Sequence, residues 1–232
     1  MKIIKCFKLR TIIAVSIAII IVACMFIGIK KIKHTENSIV PYTIVLDAGH
    51  GGRDNGVTGV NGTVESEINL QIVKRLRTQF ENLGFRVVLT RENESGLYSE
   101  NVSNYKKDDM TKRKEIIEKS KADLIISIHQ NSYPSSHSKG AQVFCLENNT
   151  ESEKFANAIQ SQIIASLPNA RSSISYGDYY LLKCSKMPSV IVECGYLTNA
   201  EEEALLNSAD YQEKVAYTIA CGVLKYLGFN ND

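Results

Sequence analysis

Residues 44–56 read IVLDAGHGGRDNG, and the change of character inside that stretch decides the fold. Its opening is a continuous apolar run, the signature of a strand covered on both faces. It then delivers an acid, Asp47, and a histidine, His50, into a turn rich in glycine. In open sheets of parallel strands, ligands gather beyond the carboxyl ends of the strands. A strand ending in an exposed imidazole therefore marks a candidate binding rim. The glycines Gly49, Gly51 and Gly52 let the backbone turn sharply beside a ligand. They do not form a phosphate cradle, because the stretch matches neither G-x-G-x-x-G nor G-x-x-x-x-G-K-[ST].

The same ending recurs further along. ADLIISIHQN (122–131) reads as a strand closing near His129, and SVIVECG (189–195) as one carrying Glu193. FRVVLTR (85–91), GAQVFCLE (140–147) and DYYLLKC (178–184) read as further strands. Helical patterns fall between them at 65–83, 108–120, 151–166, 200–207 and 209–227. Strands alternating with helices of this length specify an α/β domain with a largely parallel sheet.

The first helix adds a fourth group to the rim. At about 100° per residue, Ile68, Ile72, Val73, Leu76, Phe80 and Leu83 share one face, and Glu65 lies within that stripe. Glu67 points the opposite way, to solvent. Two histidines and a carboxylate suit Zn²⁺, and three protein ligands with one open position are the mark of a catalytic zinc site. A fourth acid is then required to take a proton from water and return it to the leaving amine. Position assigns His50, Glu65 and His129 to the metal and Glu193 to the proton. Position alone leaves the exchange of the two glutamates open. Each residue also has a plainer use. Glu65 can complement its helix terminus, Glu193 can pair with Arg91 or Arg113, and Asp47 can orient the His50 imidazole or brace its loop. His34 and His137 sit in polar surroundings and read as solvated. No H-E-x-x-H or G-x-S-x-G is present, so the familiar zincins and serine hydrolases are excluded.

The amino terminus is organised differently. The chain of 232 residues carries a net charge of +2, yet residues 1–40 hold seven Lys/Arg against one Glu, which leaves −4 for the remainder. Lys2, Lys5, Lys8 and Arg10 precede the apolar run TIIAVSIAIIIVACMFIGI, long enough to cross a bilayer core. Residues 1–29 read as a retained signal anchor, 30–41 as a linker and 42–229 as a catalytic domain outside the cytoplasm. The body has no basic stripe for nucleic acid. Cys145, Cys184, Cys194 and Cys221 lack C-x-x-C spacing and read as buried free thiols.

Together, IVLDAGHGGRDNG, GTVESEINL, LTR, ADLIISIHQNS and PSVIVECGYLTNAEE resemble the zinc-dependent N-acetylmuramoyl-L-alanine amidases, the amidase 3 family. The resemblance spans residues 43–227. It implies a twisted mixed sheet of about six strands with helices on both faces. It places zinc on His50, Glu65 and His129, and the catalytic role on Glu193. It also implies hydrolysis of the lactyl–L-alanine amide of peptidoglycan, whose glycan strands and stem peptides would be the partner. The compact, anchored form is similar to the sporulation members of the family. That similarity implies a place in spore cortex, on the way to muramic-δ-lactam, in the space between forespore and mother cell, and a lipoprotein activator of the kind some members need. Two rival readings share these residues: a zinc peptidase cutting within stem peptides, and a catalytically silent wall-binding module.

Overall fold

Successive residues of the first strand, β1 (Thr43–Ala48), feed two different cores, as a run without polar interruption requires. Ile44, Leu46 and Ala48 enter the larger core, and Val45 enters a smaller one on the other face. The computed structural model describes residues 42–184 and 186–229. The anchor and linker read at 1–29 and 30–41 lie outside the described residues. Among the described residues, no helix is long and apolar enough to cross a membrane.

β1 is flanked in parallel by β2 (Arg86–Leu89) and β3 (Leu124–Asn131), and β3 pairs in parallel with β6 (Ser189–Tyr196). β4 (Gln142–Cys145) joins β6 antiparallel, and β5 (Ser175–Tyr176) runs parallel to β4 at the edge. The order is β2-β1-β3-β6-β4-β5, a six-stranded mixed sheet. The reversal at β4 has a simple cause. Residues 132–141, between β3 and β4, contain no helix and are fewer than the dozen or so that a parallel crossover needs.

Helices cover both faces. α1 (Glu65–Asn82) packs on β1 and β3 over the larger core. α2 (Tyr105–Ser120) packs against β1 on the opposite face, where Ile117 joins Val45 and Ile125 in the smaller core. α3 (Thr150–Ser166) covers β4 and β6 and meets the last helix, α6 (Ala209–Tyr226). α5 (Ala200–Leu206) closes over β6.

Two local expectations are corrected. DYYLLKC is not a strand: Tyr180–Lys183 form a short helix, α4, against α2 and β6. Leu181 and Leu182 are both buried in that turn. The sixth strand is instead the two-residue β5 just before it. The helix expected from 108 begins at Tyr105, because the Asn104 side chain accepts a hydrogen bond from Lys107 N and caps it at that point. The four described cysteines are free thiols. Cys145 and Cys194 are buried, and Cys184 and Cys221 are partly exposed.

Candidate metal centre

Three side chains from three segments converge at the carboxyl end of the sheet. Glu65, the first residue of α1, is 2% exposed, whereas Glu67 faces solvent. Its Oε1 lies 3.0 Å from His129 Nδ1 and 3.3 Å from His50 Nε2. The two imidazole rings stand edge to face with centroids 4.9 Å apart. One donor atom from each of His50, Glu65 and His129 falls within a span of 4.8 Å. His137 is exposed and stands apart from this group, and His34 lies outside the described residues.

The local backbone explains the convergence. β3 slips register just past His129, which turns Gln130 N out of the ladder to donate to Glu65 Oε1 at 3.0 Å. Glu65 Oε2 accepts from Val57 N at 2.8 Å, while Asn69 Nδ2 reaches both Oε1 and Gly49 O. Gly49 is required for space, because a β-carbon there would strike the His129 ring. Gly56 has φ +70°, and its β-carbon would strike Glu65.

His50 itself adopts φ 63°, a left-handed conformation that costs a non-glycine residue about 1–3 kcal/mol and persists only where its surroundings impose it. Two buried arginines impose it. Arg113 donates to Asp47 Oδ1 at 2.5 Å, Asp109 Oδ2 at 2.6 Å, Ala48 O at 2.7 Å and His50 O at 2.6 Å. Arg91 donates to Ala48 O, Gly49 O and Ser66 O. Three successive carbonyls of the turn are thereby clamped. Asp47 braces this loop through Arg113 and does not touch the His50 ring. Burial pushes its carboxyl up, but Arg113 with the hydroxyls of Ser127 and Thr90 holds it down at about 2. The residue that does orient His50 is Asp54, whose Oδ2 lies 2.9 Å from His50 Nδ1. The sequence offered a cue in Asp54, four residues past the histidine across a glycine turn. It was overshadowed by the nearer acid on the strand.

Glu193 stands beside the cluster. It is the register partner of His129 on the neighbouring parallel strand, so both side chains leave the same face of the sheet. Neither Arg91 nor Arg113 reaches it; both are engaged on the turn. Its Oε2 is buried without a hydrogen-bond partner. Burial, opposed by His129 and reinforced by Glu65, pushes its pKa up to about 7. Glu65 is the opposite case. Burial raises its pKa, but the hydrogen bonds with His129 and His50 outweigh this and keep it well below the usual carboxylate range. For His50, burial disfavours the charged ring, and Glu65 and Asp54 together more than reverse that effect.

The donor set fits a divalent cation of zinc's kind: two imidazole nitrogens and one carboxylate oxygen, with the far nitrogen of one ring held by a carboxylate. Two hollows flank it. One, of about 300 Å³, reaches beneath the rim towards α2 and α4. The other, of about 450 Å³, is an open cleft that includes Glu65 and Glu193.

The wider likeness agrees with the geometry. The family model for N-acetylmuramoyl-L-alanine amidases matches residues 44–225. The germination-specific N-acetylmuramoyl-L-alanine amidase of Bacillus subtilis (strain 168) is 36% identical over 193 residues, covering 82% of this chain and 81% of that protein. The CwlD amidase from Clostridioides difficile, solved in complex with the GerS lipoprotein, superposes with a TM-score of 0.78 at 38% identity, over 82% of this chain and 100% of that one. The catalytic domain of CwlV from Bacillus (Paenibacillus) polymyxa var. colistinus gives 0.72 at 31% identity, over 82% and 99%. The chain belongs to the N-acetylmuramoyl-L-alanine amidase family and is an amide hydrolase of that family.

Proposed function

We propose that this amidase holds a zinc ion with His50 Nε2, Glu65 Oε1 and His129 Nδ1, and that Glu193 is its catalytic base and acid. The observation that carries the reading is the pairing of a convergent donor triad with a buried, unpartnered carboxylate beside it. When bound, zinc supplies a Lewis acid that polarises the amide carbonyl and acidifies water. The protein's own groups do the rest. Asp54 holds the His50 Nδ1 proton, which leaves the Nε2 lone pair facing the triad. Asn69, Gln130 and Val57 fix the Glu65 carboxylate through hydrogen bonds. Glu193 takes the proton of the attacking water and passes it to the alanine nitrogen as the C–N bond breaks. Burial raises its pKa, which suits a carboxyl that must both accept and give up a proton. The products are a free lactyl carboxylate and a stem peptide with a new amino terminus.

The finer assignment is to spore cortex, where removal of stem peptides precedes muramic-δ-lactam formation. The likeness to the germination-specific amidase of Bacillus subtilis supports it, as does the likeness to CwlD. The enzyme would then act outside the cytoplasm, tethered by residues 1–29 in the space between forespore and mother cell. A lipoprotein is the activator we assign to it, since the Clostridioides difficile relative was solved with one.

Metal analysis combined with muropeptide digestion tests the reading. We expect about one zinc per chain and mass-spectrometric release of L-alanine amino termini, lost on chelation and restored by zinc. Cuts between amino acids of the stem would make it a peptidase instead. Zinc binding without any turnover, in the presence of the lipoprotein partner as well, would reduce it to a wall-binding module.

A further inference from the structure

The two hollows beside the metal centre share His50, Asp54, Lys106, His129 and Tyr179, but they differ in depth. The smaller ends on Asp47, Arg113 and Ile191, which are 0%, 1% and 4% exposed, so it is blind. The larger also has buried side chains at its floor, Glu65, Gln130 and Glu193, but it is the more open of the two and runs along Gly56, Val57, Asn131 and Ser132, all at least partly exposed. The substrate proposed above is branched at the scissile amide. Its glycan strand continues in both directions from the muramyl residue, whereas the stem peptide is a side branch. A through-running polymer needs the open cleft, and only a branch can enter a blind one.

Charge adds a second constraint. The rim is rich in acids, with Asp54, Glu65 and Glu193 around it. Arg113 is buried and committed to Asp47 and Asp109. Lys106 is therefore the exposed cation common to both hollows, 61% accessible, with its ammonium 3.0 Å from Asp54 Oδ1. The other oxygen of Asp54 is held against His50, so this ammonium stands one carboxylate away from the metal-binding imidazole. The residue that follows L-alanine in a stem peptide carries either a free carboxyl group or its amide.

Resting on the amidase reading, we propose that the blind hollow receives the stem peptide. Lys106 at its mouth recognises the free carboxylate of the residue after L-alanine, so the enzyme prefers carboxylate-bearing stems to amidated ones. A charge-assisted hydrogen bond at a half-open rim corresponds to about a tenfold difference in affinity.

The test uses the full chain, zinc-loaded, in a Glu193→Gln background that prevents turnover. It is titrated with N-acetylmuramoyl-L-alanyl-D-isoglutamate and with the matching isoglutamine amide. We expect the acid to bind about tenfold tighter, and Lys106→Met to remove that preference by weakening the acid alone. Equal affinity for the two compounds, or equal weakening of both by Lys106→Met, overturns the proposal. Leu181→Trp, which fills the hollow, should weaken both compounds and leave peptide-free glycan strands unaffected; loss of glycan binding instead reverses the assignment and sinks it. Should Leu181→Trp fail to fold, Tyr180→Ala takes its place, since that exposed side chain lines the smaller hollow alone and its loss should likewise weaken both compounds and spare the glycan. The amidase reading fails separately. In that event the wild-type chain releases no alanine amino group from either compound, whatever the binding preference.

Discussion

Two buried acids a few residues from the same rim are treated in opposite ways. Asp47 faces the α2 side of the sheet, and both its oxygens are occupied: Arg113 and Thr90 donate to Oδ1, and Ser127 donates to Oδ2. Glu193 is nearly as buried, yet one of its oxygens has no partner at all. An unsatisfied buried acceptor costs about 1–3 kcal/mol, so a fold selected only for stability would have capped it. The completed cluster is a brace, and the incomplete one suits the proton-carrying role proposed for Glu193. Their pKa values diverge accordingly, one held at about 2 and the other pushed up to about 7.

Exchanging each acid for its amide is the sharpest way to break that contrast. Glu193→Gln should lower kcat about 10²–10⁴-fold, the usual range for losing a general acid–base, while keeping zinc content and thermal stability. The amide has no charge to desolvate in the buried position, so the melting temperature should hold or rise. A variant that keeps near-normal turnover removes Glu193 from the chemistry.

Asp47→Asn should do the reverse and strike stability first. It leaves the buried Arg113 guanidinium with Asp109 as its sole carboxylate. Loss of one partner of a buried pair costs about 3–5 kcal/mol, and the remaining acid and carbonyls place this case near the lower end, about 3 kcal/mol by denaturant titration. The pH dependence carries the same signature. The folded pKa of Asp47, about 2, is depressed below its ordinary 3.8. Its contribution is therefore complete above pH 4 and disappears as pH falls from there towards 2. Wild type and Asp47→Asn should converge in stability through that window. Parallel curves would show that Asp47 is not the titrating brace.

The contrast also explains what could be read from residues alone. The strands that carry His129 and Glu193, and the turn after β1 that carries His50, were legible because apolar runs and parallel-sheet geometry are properties of sequence order, although Glu193 lies inside β6 and not at its end. Glu65 was legible because it shares a helical face with Ile68, Ile72 and Leu76, which packing buries. The brace was not. Arg113 lies on α2, 63 residues from the carbonyl of His50 that it holds, and no local pattern joins them. The strand expected at 178–184 failed for a related reason. A single turn of helix and a four-residue edge strand have the same hydrophobic content, and only the neighbours Ile117, Ile125 and Val45 decide which way Leu181 must point.

Asp54 sits between the two kinds of acid, and its replacement should have the smallest effect of the three. One of its oxygens faces His50 Nδ1 and the other faces Lys106, and the group is partly open to water. The flanking imidazole and ammonium hold its pKa low against its partial burial. It is neither a sealed brace nor a free carboxylate; its work is to choose which ring nitrogen of His50 carries the proton. Asp54→Asn keeps an acceptor at the same place, but a weaker one, so the ring orients less strictly and becomes a poorer ligand. Zinc affinity, read by competition with a chromophoric chelator, should fall about 10–100-fold, with global stability changed little. Excess zinc should then restore most of the turnover, which it cannot do for Glu193→Gln. If added zinc leaves the Asp54→Asn enzyme as slow as before, Asp54 acts on the reaction itself, and the division between ligand-orienting and proton-moving acids must be redrawn.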